Sequence, residues 1–159
     1  MKKIMVILSG FLMFSACSDP FESSDDSIPD KLLKNSIVFF AGEVIETSSA
    51  SINGKQLWNV AVENESGSLV NFYWRKSVNS LYKIEGTKGP FDYNLNPPFS
   101  VINFAAARFL ATNNFSIGNI TSWSFEPSPN QNMSWYYIFH GHGSVSKVTL
   151  DAGSGAGIR

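Results

Sequence analysis

The chain of 159 residues holds one cysteine and two histidines. One cysteine closes no disulfide within the chain, which excludes a disulfide-stapled scaffold. Two histidines, His140 and His142, do not complete a metal site by themselves. Charged residues make up 16% of the chain and nearly cancel, with a formal net charge of -1. No basic field therefore marks it for nucleic acid. No apolar run reaches the roughly 20 residues that a membrane-spanning helix needs. There is no HExxH or P-loop motif, and Gly153-Ser154-Gly155 lacks the spacing of a serine nucleophile elbow. No helix follows the glycine tail from Gly153 to Gly157, so it is not a dinucleotide loop. What is present is a composition 43% hydrophobic and 14% aromatic. That is enough for one domain with a core, or two small modules sharing one.

The beginning of the chain carries an address. Lys2 and Lys3 precede an apolar stretch from Ile4 to Phe14, broken by Ser9 and Gly10, and Ser15-Ala16-Cys17 follows. This pattern reads as a cleaved export signal over residues 1–16. Phe14-Ser15-Ala16-Cys17 resembles the lipobox of bacterial lipoproteins, with Phe14 where that family usually has leucine. The resemblance implies cleavage before Cys17, a diacylglycerol on its sulfur and acylation of the new amine. Two or three acyl chains, at about 0.8 kcal/mol per buried CH₂, are enough for stable anchoring. A plain secretory signal with a chance cysteine is the alternative. Residues 17–28, rich in Ser, Asp and Glu, read as a disordered tether. Its acids look like the surface-export signals of Bacteroidetes-type lipoproteins, which implies a bacterial outer membrane protein, periplasmic or surface-exposed. Cleavage removes Lys2 and Lys3 and no acid, so 10 basic groups face 13 acidic ones, a net of -3.

The rest alternates helix and strand signals. Pro29-Asp30 opens a helix with Leu32, Leu33, Ile37, Phe39 and Phe40 as its apolar set. Asn53-Gly54 reads as a tight turn. Trp58, Val60 and Val62 alternate with Asn59, Ala61 and Glu63, and Val70, Phe72 and Trp74 with Asn71, Tyr73 and Arg75, giving two half-buried strands. A glycine and proline cluster from Gly86 to Pro98 marks a boundary near residue 96. Ser100 is placed as the N-cap of a second helix, with Val101, Ile102, Ala105, Phe109 and Ala111 as its stripe. Trp135, Tyr137 and Phe139 form one face of a later strand, and Val145, Val148 and Leu150 a last one.

The two halves echo each other. Trp58 stands 16 residues after Gly42, and Trp135 stands 17 after Gly118. Gly67 follows Trp58 by nine, and Gly143 follows Trp135 by eight. Each half reads as helix, strand, tryptophan-led strand, glycine turn, strand. The second half, with Ala105 to Ala107, Gly118 to Ile120, Trp135 to Phe139 and the ending Val148-Thr149-Leu150-Asp151-Ala152-Gly153, resembles a PepSY-type domain. The first half matches more loosely through Gly42 to Val44, Trp58 to Val62 and Gly67 to Phe72. The resemblance implies an α+β fold, antiparallel sheets each packed with a helix, with one unit over 29–96 and a second over 97–159. It also implies an extracytoplasmic module, inhibitory or regulatory toward a separate partner protein, with no catalytic centre and no cofactor.

Candidate chemistry is sparse. Asp151 or Glu126 would have to join His140 and His142 to hold a metal, and surface turn histidines are the plainer reading. Glu43 with Glu46 and Glu63 with Glu65 are paired carboxylates in polar surroundings, better read as solvated faces than as an acid–base pair. Sequons at Asn114, Asn119 and Asn132 would matter only on a eukaryotic secretory route. Most aromatics are expected in the core. Tyr73, Arg75, Tyr136 and His140 lie opposite the stronger apolar faces and are the candidates for an exposed interaction surface. The expected function is a lipid-anchored binding module with no enzymatic activity, its partners being the membrane and an extracytoplasmic protein or glycan. A glycan-binding or surface-assembly accessory role is the alternative, favoured by an aromatic platform beside Asn130, Gln131 and Asn132. A small hydrolase is a third reading.

Overall fold

The computed structural model describes residues 27–129 and 134–158. Two helices, α1 (Asp30–Phe39) and α2 (Phe104–Asn113), each precede four strands. These are β1 (Glu43–Ile52), β2 (Lys55–Glu63), β3 (Leu69–Arg75) and β4 (Leu81–Lys88), then β5 (Asn119–Pro127), β6 (Trp135–His142), β7 (Lys147–Asp151) and β8 (Gly157–Ile158). All eight form one antiparallel sheet in sequence order. The fold is α+β, with both helices on one face. The expected pair of sheets is thus a single sheet. Its halves join where Ile84, Glu85 and Gly86 of β4 pair with Phe125, Ser124 and Trp123 of β5.

The element order repeats, and so do its irregularities. Ile45 interrupts the β1–β2 register three residues after Gly42, and Thr121 interrupts β5–β6 three residues after Gly118. A Cβ on Gly42 would lie 2.5 Å from the Glu63 carbonyl oxygen, and one on Gly118 would lie 1.6 Å from that of His142. Each glycine lets the first strand of its half start against the end of the second.

Hydrophobic alternation places the strands as the sequence suggests. Trp58, Val60, Val62, Val70, Phe72 and Trp74 point into the core. The helices bury part of the expected sets, Leu32, Phe40 and Ala111, and add residues that hydropathy does not single out. Helix α1 buries Leu32, Ser36 and, just past its end, Phe40, at the i, i+4, i+8 spacing, and leaves Ile37 exposed. Ser36 is buried because its hydroxyl donates to the Leu32 carbonyl at 2.8 Å and accepts from Trp74 Nε1 at 3.1 Å. Helix α2 is capped by Asn103, not Ser100: the Asn103 side chain accepts from Ala106 N–H at 2.9 Å. Ser100 instead lies in a run of bends before the helix, after which Ile102 N–H donates to the Ala152 carbonyl, just past β7, at 2.9 Å. The helix then buries Phe104, Ala107 and Ala111, while Phe109 is exposed.

The glycine and proline cluster lies inside the fold. Tyr93 and Leu95 are buried, and Asn96 N–H donates to the Phe39 carbonyl. The Tyr93 ring packs on Phe40 at 4.8 Å and on Phe104 at 5.0 Å, so it touches residues of both halves. Its hydroxyl accepts from Trp123 Nε1. That bond passes over Gly86, where a Cβ would fall 2.0 Å from Trp123 Nε1 and 2.6 Å from Tyr93 Oη. One hydrophobic cluster spans both halves, and Ile28 packs against it, so ordered packing begins inside the stretch read as tether.

Gly86→Ala is expected to destabilise the chain by about 1–3 kcal/mol, the usual range for overpacking a filled core. Gly153→Ala, whose nearest neighbour is Asp151 Oδ1 at 3.4 Å, serves as the tolerated control. Urea unfolding followed by tryptophan fluorescence measures both, and equal midpoints would refute the crowding argument.

Candidate functional site

The residues opposite the helices form a polar ridge. Strand register places Ser48, Asn59, Tyr73, Lys83, Glu126, Tyr136 and Asp151 in one row across the sheet. At its middle, Lys83 Nζ is 2.6 Å from Glu85 Oε1 and 3.5 Å from Glu126 Oε2. Burial works to lower the Lys83 pKa, but the two carboxylates outweigh it and hold it above the ordinary lysine value. The Tyr73 hydroxyl donates to Glu85 Oε2 at 3.3 Å. Burial first, then the Glu85 charge, pushes the Tyr73 phenol up to about 12.

The four residues proposed as an exposed patch are therefore distributed. Tyr73 and Tyr136 share the row but stand three strands apart, roughly 14 Å at the usual strand spacing. Arg75 lies toward one end, its guanidinium over the Tyr82 ring at 5.5 Å. His140 lies toward the other end, between Ser122 and Lys147. His140 is exposed, whereas Tyr73, Arg75 and Tyr136 are half-buried. Long neighbouring side chains shield them, which alternation along one strand cannot reveal. Cys17 and Asn130, Gln131 and Asn132 lie outside the described residues.

A groove that sequence reasoning missed opens on the helix side. It has a volume of about 420 Å³, with Trp74 and Leu81 as its floor, Phe39, Phe99 and Trp135 as its walls, and Asn35 and Arg75 at its edge. The Phe99 ring stacks on Trp135 at 4.7 Å, and Phe39 stacks on Trp74 at 6.3 Å. Trp135 is half-buried, and Phe99 is 40% exposed. Phe99 and Trp135 also wall a second hollow of about 580 Å³ that continues toward Ser134 and Asp151. Pro97-Pro98 fixes backbone dihedrals just before Phe99 and so presents its ring at the mouth. The available signal was an aromatic directly after a proline pair, with no alternating partners.

Asp151 borders the second hollow but is engaged in a turn. Its Oδ1 accepts from the Ser154 N–H and hydroxyl, each at 2.8 Å. Those bonds hold its carboxyl below the ordinary aspartate value. The Asp151-Ala152-Gly153-Ser154 ending thus folds the chain back into β8. No group of three or more metal-ligating side chains occurs among the described residues, and no helix there is long and apolar enough to cross a membrane.

No family model matches the chain, and no curated protein matches it in sequence. The PepSY-type resemblance therefore rests on the residues quoted for it. A crystal structure from Clostridium difficile 630, described provisionally as a lipoprotein, is similar over 82% of this chain and 87% of that one, at 10% identity and a TM-score of 0.36. Nothing about function is carried over from a likeness at that level.

The raised Tyr73 pKa has a pH consequence. Its contribution to stability is complete below the unfolded tyrosine pKa near 10 and is lost as pH rises toward about 12. Tyr73→Phe should lose less melting temperature than the parent between those two pH values. Parallel curves across that window would remove Tyr73 from the account.

Proposed function

We propose that the chain is a lipid-anchored extracytoplasmic binding module, held at a bacterial outer membrane through Cys17. In this reading it has no enzymatic activity and takes an extended segment of a partner protein in the aromatic groove. The supporting observation is the solvent-open stack of Phe99 on Trp135 above a floor of buried apolar side chains. Aromatic anchors in a hollow with a polar edge are what peptide recognition uses most. The PepSY-type resemblance supports the same reading and adds an inhibitory or regulatory role toward that partner.

A glycan is the second reading. Stacked rings beside Asn35 and Arg75 also suit a sugar, whose CH faces pack on aromatics while its hydroxyls meet polar groups.

Cys17→Ser should abolish labelling by a fatty-acid probe and release the protein from membranes. Retained labelling would refute the anchor. For the groove, a photo-crosslinking residue at position 99 in membrane-bound protein should give protein adducts that Trp135→Ala removes. The same probe at the exposed Phe109 on α2, which lines neither hollow, should give none of these adducts. Glycan binding that Trp135→Ala abolishes, with no protein adduct, would favour the second reading over the first.

A further inference from the structure

The two edges of the sheet differ. One ends in β8, a strand of two residues. The other is β1, ten residues long and, among the described residues, paired on one side only, by β2. Natural sheets usually blunt such an edge with charges, prolines or bulges. Here Glu43, Glu46 and the irregularity at Ile45 guard the first half, but Thr47-Ser48-Ser49-Ala50-Ser51-Ile52 carries no charge, no proline and no bulge.

The hairpin turn fixes which backbone groups face outward. Asn53 and Gly54 have φ of 51° and 72°, the left-handed pair of a two-residue turn, with Ile52 opposite Lys55. In that turn the flanking residues form a hydrogen-bonded pair, and bonding alternates along an antiparallel ladder. Ile52, Ala50 and Ser48 therefore bond to β2. Thr47, Ser49 and Ser51 turn their N–H and C=O groups to the open side.

We propose that this edge pairs with β1 of a second copy, antiparallel about a two-fold axis at Ser49. In that register Ser49 meets Ser49, and Thr47 meets Ser51 twice, so every outward group of the three residues is paired. The charge distribution fits the same register. One end of the β1–β2 hairpin is acidic, with Glu43, Glu63 and Glu65 around one hollow. The other end is basic, with Lys55, Arg75 and Lys76 around another. A two-fold antiparallel approach brings the acidic end of each copy against the basic end of the other, with Glu43 and Glu46 beside the partner copy's Lys55. A parallel approach would set like charges together. Lys76, which donates to Ser49 Oγ at 2.9 Å and lies over the Trp58 ring at 3.6 Å, already covers the helix-side flank of the edge. The result is a continuous sheet across two copies, with one aromatic groove in each.

Sedimentation equilibrium tests this on the chain from position 17 onward carrying Cys17→Ser, which keeps every described residue. A reversible dimer is expected at about 100 μM or below, weakening as salt screens the end-to-end attraction. Ser49→Pro removes an outward donor and no β1–β2 backbone bond, so it should give monomers whose melting temperature is close to that of the parent measured dilute enough to be monomeric. Lys55→Glu and Glu43→Lys should each weaken association about tenfold, and the double exchange should recover most of the loss. A chain monomeric throughout that range would overturn the proposal. So would a dimer that persists in Ser49→Pro, or charge variants whose losses simply add.

Discussion

The structure depends on one crossing: Trp123 reaching over Gly86 to the Tyr93 hydroxyl. The two halves of the sheet meet in a short ladder between β4 and β5. A ladder of that length does not hold two modules together by its backbone bonds, each worth about 1 kcal/mol net. The side chains above it do the fastening. Trp123 comes from the second half, and the Phe40 ring against Tyr93 comes from the first. Phe104, from α2, stacks on Tyr93 and lies 4.4 Å from Trp123. An indole N–H and a phenol buried here would each cost free energy if left unpaired, and the bond between them removes both costs. The absence of a side chain at residue 86 is what allows it.

That crossing explains why a segment rich in glycine and proline is not a linker. Composition says that residues 86 to 98 do not form helix or regular strand, which is correct for most of them. It does not say whether such a segment lies outside a core or plugs one. Tyr93 and Leu95 decide the matter, because two large apolar side chains in an irregular segment need somewhere to be buried. The same logic applies to Phe99. Read alone it is one aromatic among thirteen phenylalanines. After a proline pair it becomes a ring fixed at the mouth of a groove.

Periodicity made much of the rest legible. The faces of β2 and β3 follow directly from alternation, and the tryptophans of the two halves fall on corresponding strands, β2 and β6, with the glycines in corresponding connections. The helices were harder. In α1 a serine takes a core position because its hydroxyl bridges Leu32 and Trp74, and no hydropathy scale places it there. In α2 three alanines made the stripe ambiguous, since small side chains fit either face. The candidate patch was legible only as a choice of face. Tyr73, Arg75, Tyr136 and His140 all lie opposite the helices, but their separation depends on register across several strands, which no single strand encodes.

The two faces of the sheet differ in what they can offer a ligand. On the ridge, Lys83 sits between Glu85 and Glu126, and Tyr73 donates to Glu85, so the central charges already satisfy one another. A ligand there would have to displace partners before gaining any. In the groove, Phe99 and Trp135 present apolar surface that water solvates poorly and that the described residues leave partly uncovered. Recognition by such a surface gains from burying rings, while Asn35 at the edge can fix orientation. The groove also lies where α1, the stretch before α2, and the ends of β3 and β6 converge. A ligand bound there would touch both halves at once, as Tyr93 does from within. The repeat thus supplies the scaffold, and the irregular chain between its copies supplies the mouth of the groove.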